Sequence, residues 1–127
     1  MQKDFDGWNI KKQEINSGTV PPLFTEGEIW HCHIGINVGF EANGKENNFL
    51  RPVFILKKFN RYTFWALPLT NTSKSNTYYH QLRDISSGYL NLSQLRLMDI
   101  RRLLRRKIKI APNEVMEIKE KVRKLIS

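Results

Sequence analysis

His31 and His33 stand two positions apart, so in an extended segment both imidazoles project to one face, where they could act as an acid–base pair or as two ligands of a metal. Two ligands do not complete a zinc set and no cysteine pair accompanies them, so ordinary hydrogen bonding on the polar face of a strand is the simpler account. His80, beside Tyr78 and Tyr79, is a weaker candidate, and Cys32 points to the opposite side of the strand, toward a core. The stronger signal is electrostatic. The chain carries 21 basic and 12 acidic residues, a net charge of +9. The excess is concentrated: residues 51–64, with Lys57 and Lys58, carry +4 and residues 96–109 carry +6, whereas residues 18–50 carry −3. Clustered positive charge selects polyanions, because each phosphate neutralised releases a condensed counterion. Nucleic acid is the first expectation and an acidic protein segment the second. Phe40, Phe49, Trp65, Tyr78 and Tyr79 lie near the basic segments and could stack unpaired bases. Alternation puts Trp65 on the face of Leu67 and Leu69, which predicts a core position, and turns Tyr78 and Tyr79 to opposite sides.

These side chains need a scaffold, and 127 residues with 40% hydrophobic and 26% charged composition predict one domain with a real core. A lone cysteine makes no internal disulfide, no apolar run approaches a membrane span, and the first nine residues are too polar for a signal peptide. The expected location is the cytoplasm, with no membrane association. Phe5, Trp8 and Ile15 sit at roughly helical spacing and predict a short, loosely docked helix within an extension, residues 1–20; residues 21–127 form the domain proper. Residues 27–34 read as a strand with Trp30, Cys32 and Ile34 on its core face, followed by a polar, glycine-rich loop to residue 50. Residues 51–57 and 62–69 form a hairpin. A two-residue turn at Asn60-Arg61 makes paired residue numbers sum to 121, which sets Arg51 opposite Thr70. Further strands are expected at 77–82, 88–97 and 106–110, with a helical turn at 98–104. The last element is a helix opened by Pro112, with Glu114 at the positive end of its dipole and Val115, Ile118, Val122 and Leu125 as its buried stripe. Several short strands and a terminal helix imply a small, strongly bent sheet or barrel.

Taken in order, Gly27-Glu28-Ile29-Trp30, Val38-Gly39-Phe40-Glu41, Arg51-Pro52-Val53-Phe54-Ile55-Leu56, Leu67-Pro68-Leu69-Thr70 and Leu92-Ser93-Gln94-Leu95-Arg96 resemble the MazF/PemK family of toxin ribonucleases. The similarity runs from about Gly27 to Ile126. It implies a mainly β, SH3-like β-barrel with a C-terminal α-helix, a homodimer, an acidic antitoxin partner, and sequence-specific cleavage of single-stranded mRNA without metal or other cofactor. By motif, Arg51 and Thr70 become the catalytic pair, while Glu41 and Gln94 become substrate contacts; Arg96, Lys57, Lys58 and Phe40 complete the expected RNA-binding set. Residues 45–50 lengthen the loop before the Arg-Pro strand relative to compact members, and a slip of two residues would make Thr72 the reactive hydroxyl.

Such cleavage needs a base for the 2′-OH, charge stabilisation at phosphorus and a proton for the leaving 5′-oxygen. Arg51 suits the charge, its guanidinium being a planar fork that stays protonated near neutrality. Glu41 suits the base, and Thr70 the orientation of the phosphate. Two other classes compete: a non-enzymatic CcdB-like toxin, which acts through a tryptophan near the C-terminus that this chain lacks, and a catalytically silent nucleic-acid-binding barrel.

Overall fold

The computed structural model describes residues 4–17, 23–34, 50–72, 76–83 and 88–127. In chain order the elements are α1 (Phe5–Ser17), β1 (Glu28–His33), β2 (Leu50–Lys58), β3 (Thr63–Thr70), β4 (Tyr79–Gln81), β5 (Tyr89–Asn91), β6 (Arg96–Asp99), β7 (Leu103–Lys109) and α2 (Pro112–Leu125). The strands pair antiparallel along the path β4-β5-β3-β2-β1-β7, with β6 also on β3. The sheet bends around two apolar clusters. Trp30, Cys32, Ile34, Val53, Ile55 and Phe64 belong to the first, as alternation in β1 predicts. Phe54, Leu67, Leu69 and Leu90 belong to the second, which α2 covers with Ile118 fully buried and Val115, Val122 and Leu125 packed beside it.

The β2–β3 hairpin reaches the expected register by an unexpected route. The two-residue turn is replaced by a longer loop: the Phe59 amide donates to the Thr63 carbonyl at 3.2 Å, and Asn60 Oδ1 accepts from the amides of Tyr62 (2.8 Å) and Thr63 (3.0 Å). This Asx turn displaces the ladder by one residue. A bulge at Leu56 then restores it, since Lys57 pairs with Trp65 but Ile55 pairs with Ala66. The ladder ends at Val53 facing Pro68, and beyond it the Arg51 side chain reaches the Leu69 carbonyl, the residue before Thr70.

The single strand expected over 88–97 is broken. Leu90 pairs with Leu69 and Arg96 with Ala66, so six chain steps face three, and the surplus is taken up by a 3-10 turn at Leu92–Gln94. Asn91 caps that turn, its Oδ1 accepting from the Ser93 amide and hydroxyl at 3.2 and 2.8 Å. A second 3-10 turn, Ile100–Arg102, capped by Asp99, stands where a longer helical turn was expected, and β7 begins three residues early. Trp65 also departs from expectation. It points the same way as Leu67 and Leu69 but lies beyond the margin of their cluster, 40% exposed, with Phe59 edge-on at 4.8 Å.

Two groups fasten the start of β1. Gly27, at φ +88°, donates to Ile55 O (2.9 Å) and accepts from the Ile110 amide (2.8 Å), while a Cβ there would meet Val115 at 3.0 Å. Glu28 is buried; its Oε1 accepts from the Thr25 amide (2.7 Å) and Trp30 Nε1 (3.1 Å), and its Oε2 from Arg106 (3.0 Å). Burial pushes this carboxyl up, but those donors and the Arg106 charge outweigh it and hold the pKa below the ordinary value. A carboxylate depressed in the folded state stabilises above its unfolded pKa and loses that contribution as pH falls through the folded one. Glu28→Gln should therefore lower the melting temperature at neutral pH, with the gap to wild type shrinking from about pH 5 downward; a pH-independent gap in thermal melts would refute this.

Candidate active site at the Arg51 end of the sheet

Arg51 opens β2 in the place where a central strand meets neighbours on both sides. Across β1 its partner is Cys32; on the other side lies the end of β3, where Arg51 Nη1 donates to the Leu69 carbonyl at 2.9 Å. The side chain is half-buried, and that burial lowers the guanidinium pKa from its ordinary value. Thr70, next to the carbonyl Arg51 grips, is also half-buried; its Oγ1 accepts from the Thr72 amide at 3.2 Å and its backbone pairs with Tyr89. Thr72 itself is exposed and past the end of β3. The geometry thus fixes a planar cationic fork on the carbonyl of the residue before one strand-end hydroxyl. Tyr89 comes to this place too, a residue passed over because its adjacency depends on β5 joining β3, a contact between distant segments.

The other expected residues divide. Gln94 ends the first 3-10 turn and is half-buried there, not on a strand. Arg96 opens β6 opposite Ala66. It is one of two arginines, with Arg102, whose charges act on Cys32, the residue facing Arg51. Burial dominates at that thiol and pushes it up to about 12. Arg102 Nη1 donates to the His33 carbonyl at 3.1 Å and its guanidinium lies 5.6 Å from the Trp8 ring centre. Lys57 and Lys58 are not part of this gathering: six or seven strand positions separate them from Arg51, roughly 20 Å. Lys58 Nζ donates to the Phe24 carbonyl (2.9 Å) and sits 4.6 Å from that ring's centre, while its amide donates to Glu26 (2.8 Å). Glu41, Phe40, Phe49 and most of the 45–50 loop lie outside the described residues.

Residues 25–126 match the family of PemK-like, MazF-like toxins of type II toxin–antitoxin systems. The chain belongs to that family. No curated protein sequence matches it. Among solved structures, the toxin resembles MazF from Deinococcus radiodurans (Form-I), with a TM-score of 0.62 at 19% identity over 84% of this chain and 98% of that one. A MazE–MazF structure from the same organism (Form-II) gives 0.61 at 14% identity, again over 84% and 98%. An endoribonuclease in complex with its cognate antitoxin from a Mycobacterial species gives 0.58 at 16% identity, over 84% and 95%. The toxin therefore has the barrel-like MazF fold, mainly antiparallel β with a C-terminal helix, and in this chain a short N-terminal helix precedes it. Neither described helix is long and apolar enough to cross a membrane.

The toxin's histidines take other roles than the sequence offered. His31 is half-buried; desolvation, then the charges of Arg105 and Lys107, lower its pKa. His33 is buried at the end of β1, and among the described residues no group of three or more His, Cys, Asp and Glu side chains is placed to hold a metal ion. His80 is the unexpected one. It is 2% exposed, with Nε2–H donating to Glu114 Oε2 at 2.8 Å and Nδ1 accepting from Lys121 Nζ at 2.8 Å. Glu114 stands in the first turn of α2, as read from sequence, and is in addition buried, accepting also from the Arg83 amide at 3.1 Å.

Proposed function

We propose that this toxin is a sequence-specific, metal-independent endoribonuclease that cuts single-stranded RNA, including mRNA, and is neutralised by an acidic antitoxin. Residues 21–127 carry the activity as a homodimer acting in the cytoplasm, and residues 1–20 are an extension on it. The observation that supports this reading most is the Arg51 guanidinium held against Leu69, beside Thr70, at one end of a basic chain from a toxin family. The Deinococcus and Mycobacterial relatives, one a MazE–MazF structure and one an endoribonuclease bound to its antitoxin, support the same assignment. β7 offers Arg105, Lys107 and Lys109 as exposed cations for the acidic partner, while Arg101 and Arg106 are already paired with Asp99 and Glu28.

In the proposed reaction Glu41 takes the proton of a 2′-OH, the oxygen attacks the adjacent phosphorus, and the P–O5′ bond breaks as the leaving 5′-oxygen takes a proton from water. Arg51 stabilises the charge that accumulates on the phosphoryl oxygens through two N–H donors, and Thr70 orients the phosphate. Gln94, Arg96 and Phe40 bind the flanking strand, with Lys57 and Lys58 on its more distant phosphates. The products are a 2′,3′-cyclic phosphate and a 5′-hydroxyl. The test is cleavage of a long RNA in the presence of EDTA with chemical mapping of both ends. Intact RNA, or activity abolished by chelation, would overturn the proposal.

Thr70 and Thr72 are separable by substitution. Thr70→Val should slow cleavage about tenfold or more, the range expected when one positioned hydrogen-bonding group is lost at a reacting phosphate. Thr72→Val should leave the rate within twofold, because the Thr72 backbone, not its hydroxyl, contacts Thr70. Single-turnover rates on one oligonucleotide decide it; the reverse order would transfer the role to Thr72.

A further inference from the structure

The family match begins at residue 25, eight residues past the end of α1, so this helix is an addition to the shared fold. Asp4 starts it, its Oδ1 accepting from the Gly7 amide at 2.9 Å. Most of its side chains are exposed; Trp8, 6% exposed beneath the Arg102 guanidinium, anchors it. Between α1 and the Ile100–Arg102 turn lies a cleft of about 420 Å³, lined by Asn9, Lys12, Gln13 and Ile15 from the helix and by Asp99 and the two arginines after it. Its volume suits one nucleotide-sized ligand.

The lining has the chemistry of such a ligand. Asp99 is already engaged by Arg101, whose Nε and Nη2 donate to its two oxygens at 3.0 and 3.2 Å, so the only acid among the described lining residues is neutralised. Lys12 and Arg102 remain as cations toward an anion, and Arg102 is already oriented by the His33 carbonyl and the Trp8 ring. Asn9 and Gln13 can each donate and accept, as reading a base edge requires, and Ile15 supplies an apolar wall for a base face. Cations, amides and an apolar wall side by side match the phosphate, edge and face of one nucleotide. Along the sheet the cleft lies two strands from Arg51: Leu103, following Arg102, pairs with Cys32, whose other neighbour is Arg51. Those two strand spacings amount to about 10 Å.

We infer that this cleft is an additional subsite for the RNA strand, holding one nucleotide beyond the cleaved linkage, with Lys12 and Arg102 on its phosphate and Asn9 and Gln13 at its base edge. The inference deepens the ribonuclease reading and rests on it for the identity of the ligand. The test uses fluorescence anisotropy with the full chain and 2′-O-methyl RNAs, which cannot be attacked through that oxygen: a short one and one longer by about six nucleotides. Wild type should bind the longer strand about tenfold more tightly. In Lys12→Ala/Gln13→Ala, which changes two exposed positions to a better helix former and should melt with wild type, that ratio should fall to near one. Equal affinity for both lengths in wild type, or an undiminished ratio in the double variant, overturns the inference. So does a variant that keeps the RNA ratio but loses binding to a poly-glutamate peptide, which would assign the cleft to protein. A wild-type chain that prefers the longer strand yet cuts no RNA sinks the ribonuclease reading and leaves the subsite standing.

Discussion

Arg51→Ala should reduce RNA cleavage by roughly 10²–10³-fold at saturating substrate, the cost of removing a preorganised charge-stabilising donor from a transition state. The ground for this is positional. The guanidinium is half-buried and donates through Nη1 to the carbonyl of Leu69, the residue before Thr70. Because it is held before substrate arrives, little reorganisation is needed when charge develops on the phosphoryl oxygens. Arg51→Lys should recover little, since an ammonium cannot reproduce two parallel donors while also holding the carbonyl. The fold should survive: losing the bond to Leu69 O costs about 1 kcal/mol, and the alanine variant leaves no buried charge. Single-turnover cleavage beside a thermal melt checks both halves. A variant within threefold of wild-type rate would remove Arg51 from the chemistry, and one that fails to melt cooperatively would make it structural.

The second large effect is on stability. Glu114→Ala should cost about 3 kcal/mol, because it strips the buried His80 Nε2–H and the Arg83 amide of their acceptor at once. For a chain of this size that corresponds to roughly 10 °C in melting temperature. The same contacts join β4 to α2, so the loss should loosen the helix that covers the second apolar cluster. Glu114→Gln keeps one acceptor oxygen and should lose about half as much. RNA cleavage at 25 °C should be unaffected in either. A Glu114→Ala change below about 1 kcal/mol would mean that the His80 contacts merely occupy space.

What could be read from the residue order was what depends on period and local chemistry. The apolar stripe of α2 and the core face of β1 both follow directly from side-chain periodicity. The hairpin register as far as Val53 and Pro68 was also legible, although the turn meant to produce it was wrong: the longer Asx loop and the Leu56 bulge displace the ladder in opposite senses and cancel. Bulges answer to sheet curvature, which no short window of residues encodes. The break at Leu92–Gln94 was hidden for the same reason, so Gln94 was expected on a strand and sits on a turn. His80, Glu114 and Lys121 were invisible as a group because 34 and 41 positions separate the histidine from its partners. Trp8 gave a hint of docking by its spacing, but nothing in the chain order tied it to Arg102.

The lone thiol has a practical consequence. Cys32 is sealed in the first cluster and pushed up to about 12, so in the native state it is a poor nucleophile toward alkylating reagents. A fluorophore-bearing cysteine introduced on the surface can thus be labelled selectively without first engineering a cysteine-free background. Because Cys32 lies directly across from Arg51, its slow labelling in unaltered protein would time the transient parting of the strands that hold the guanidinium in place.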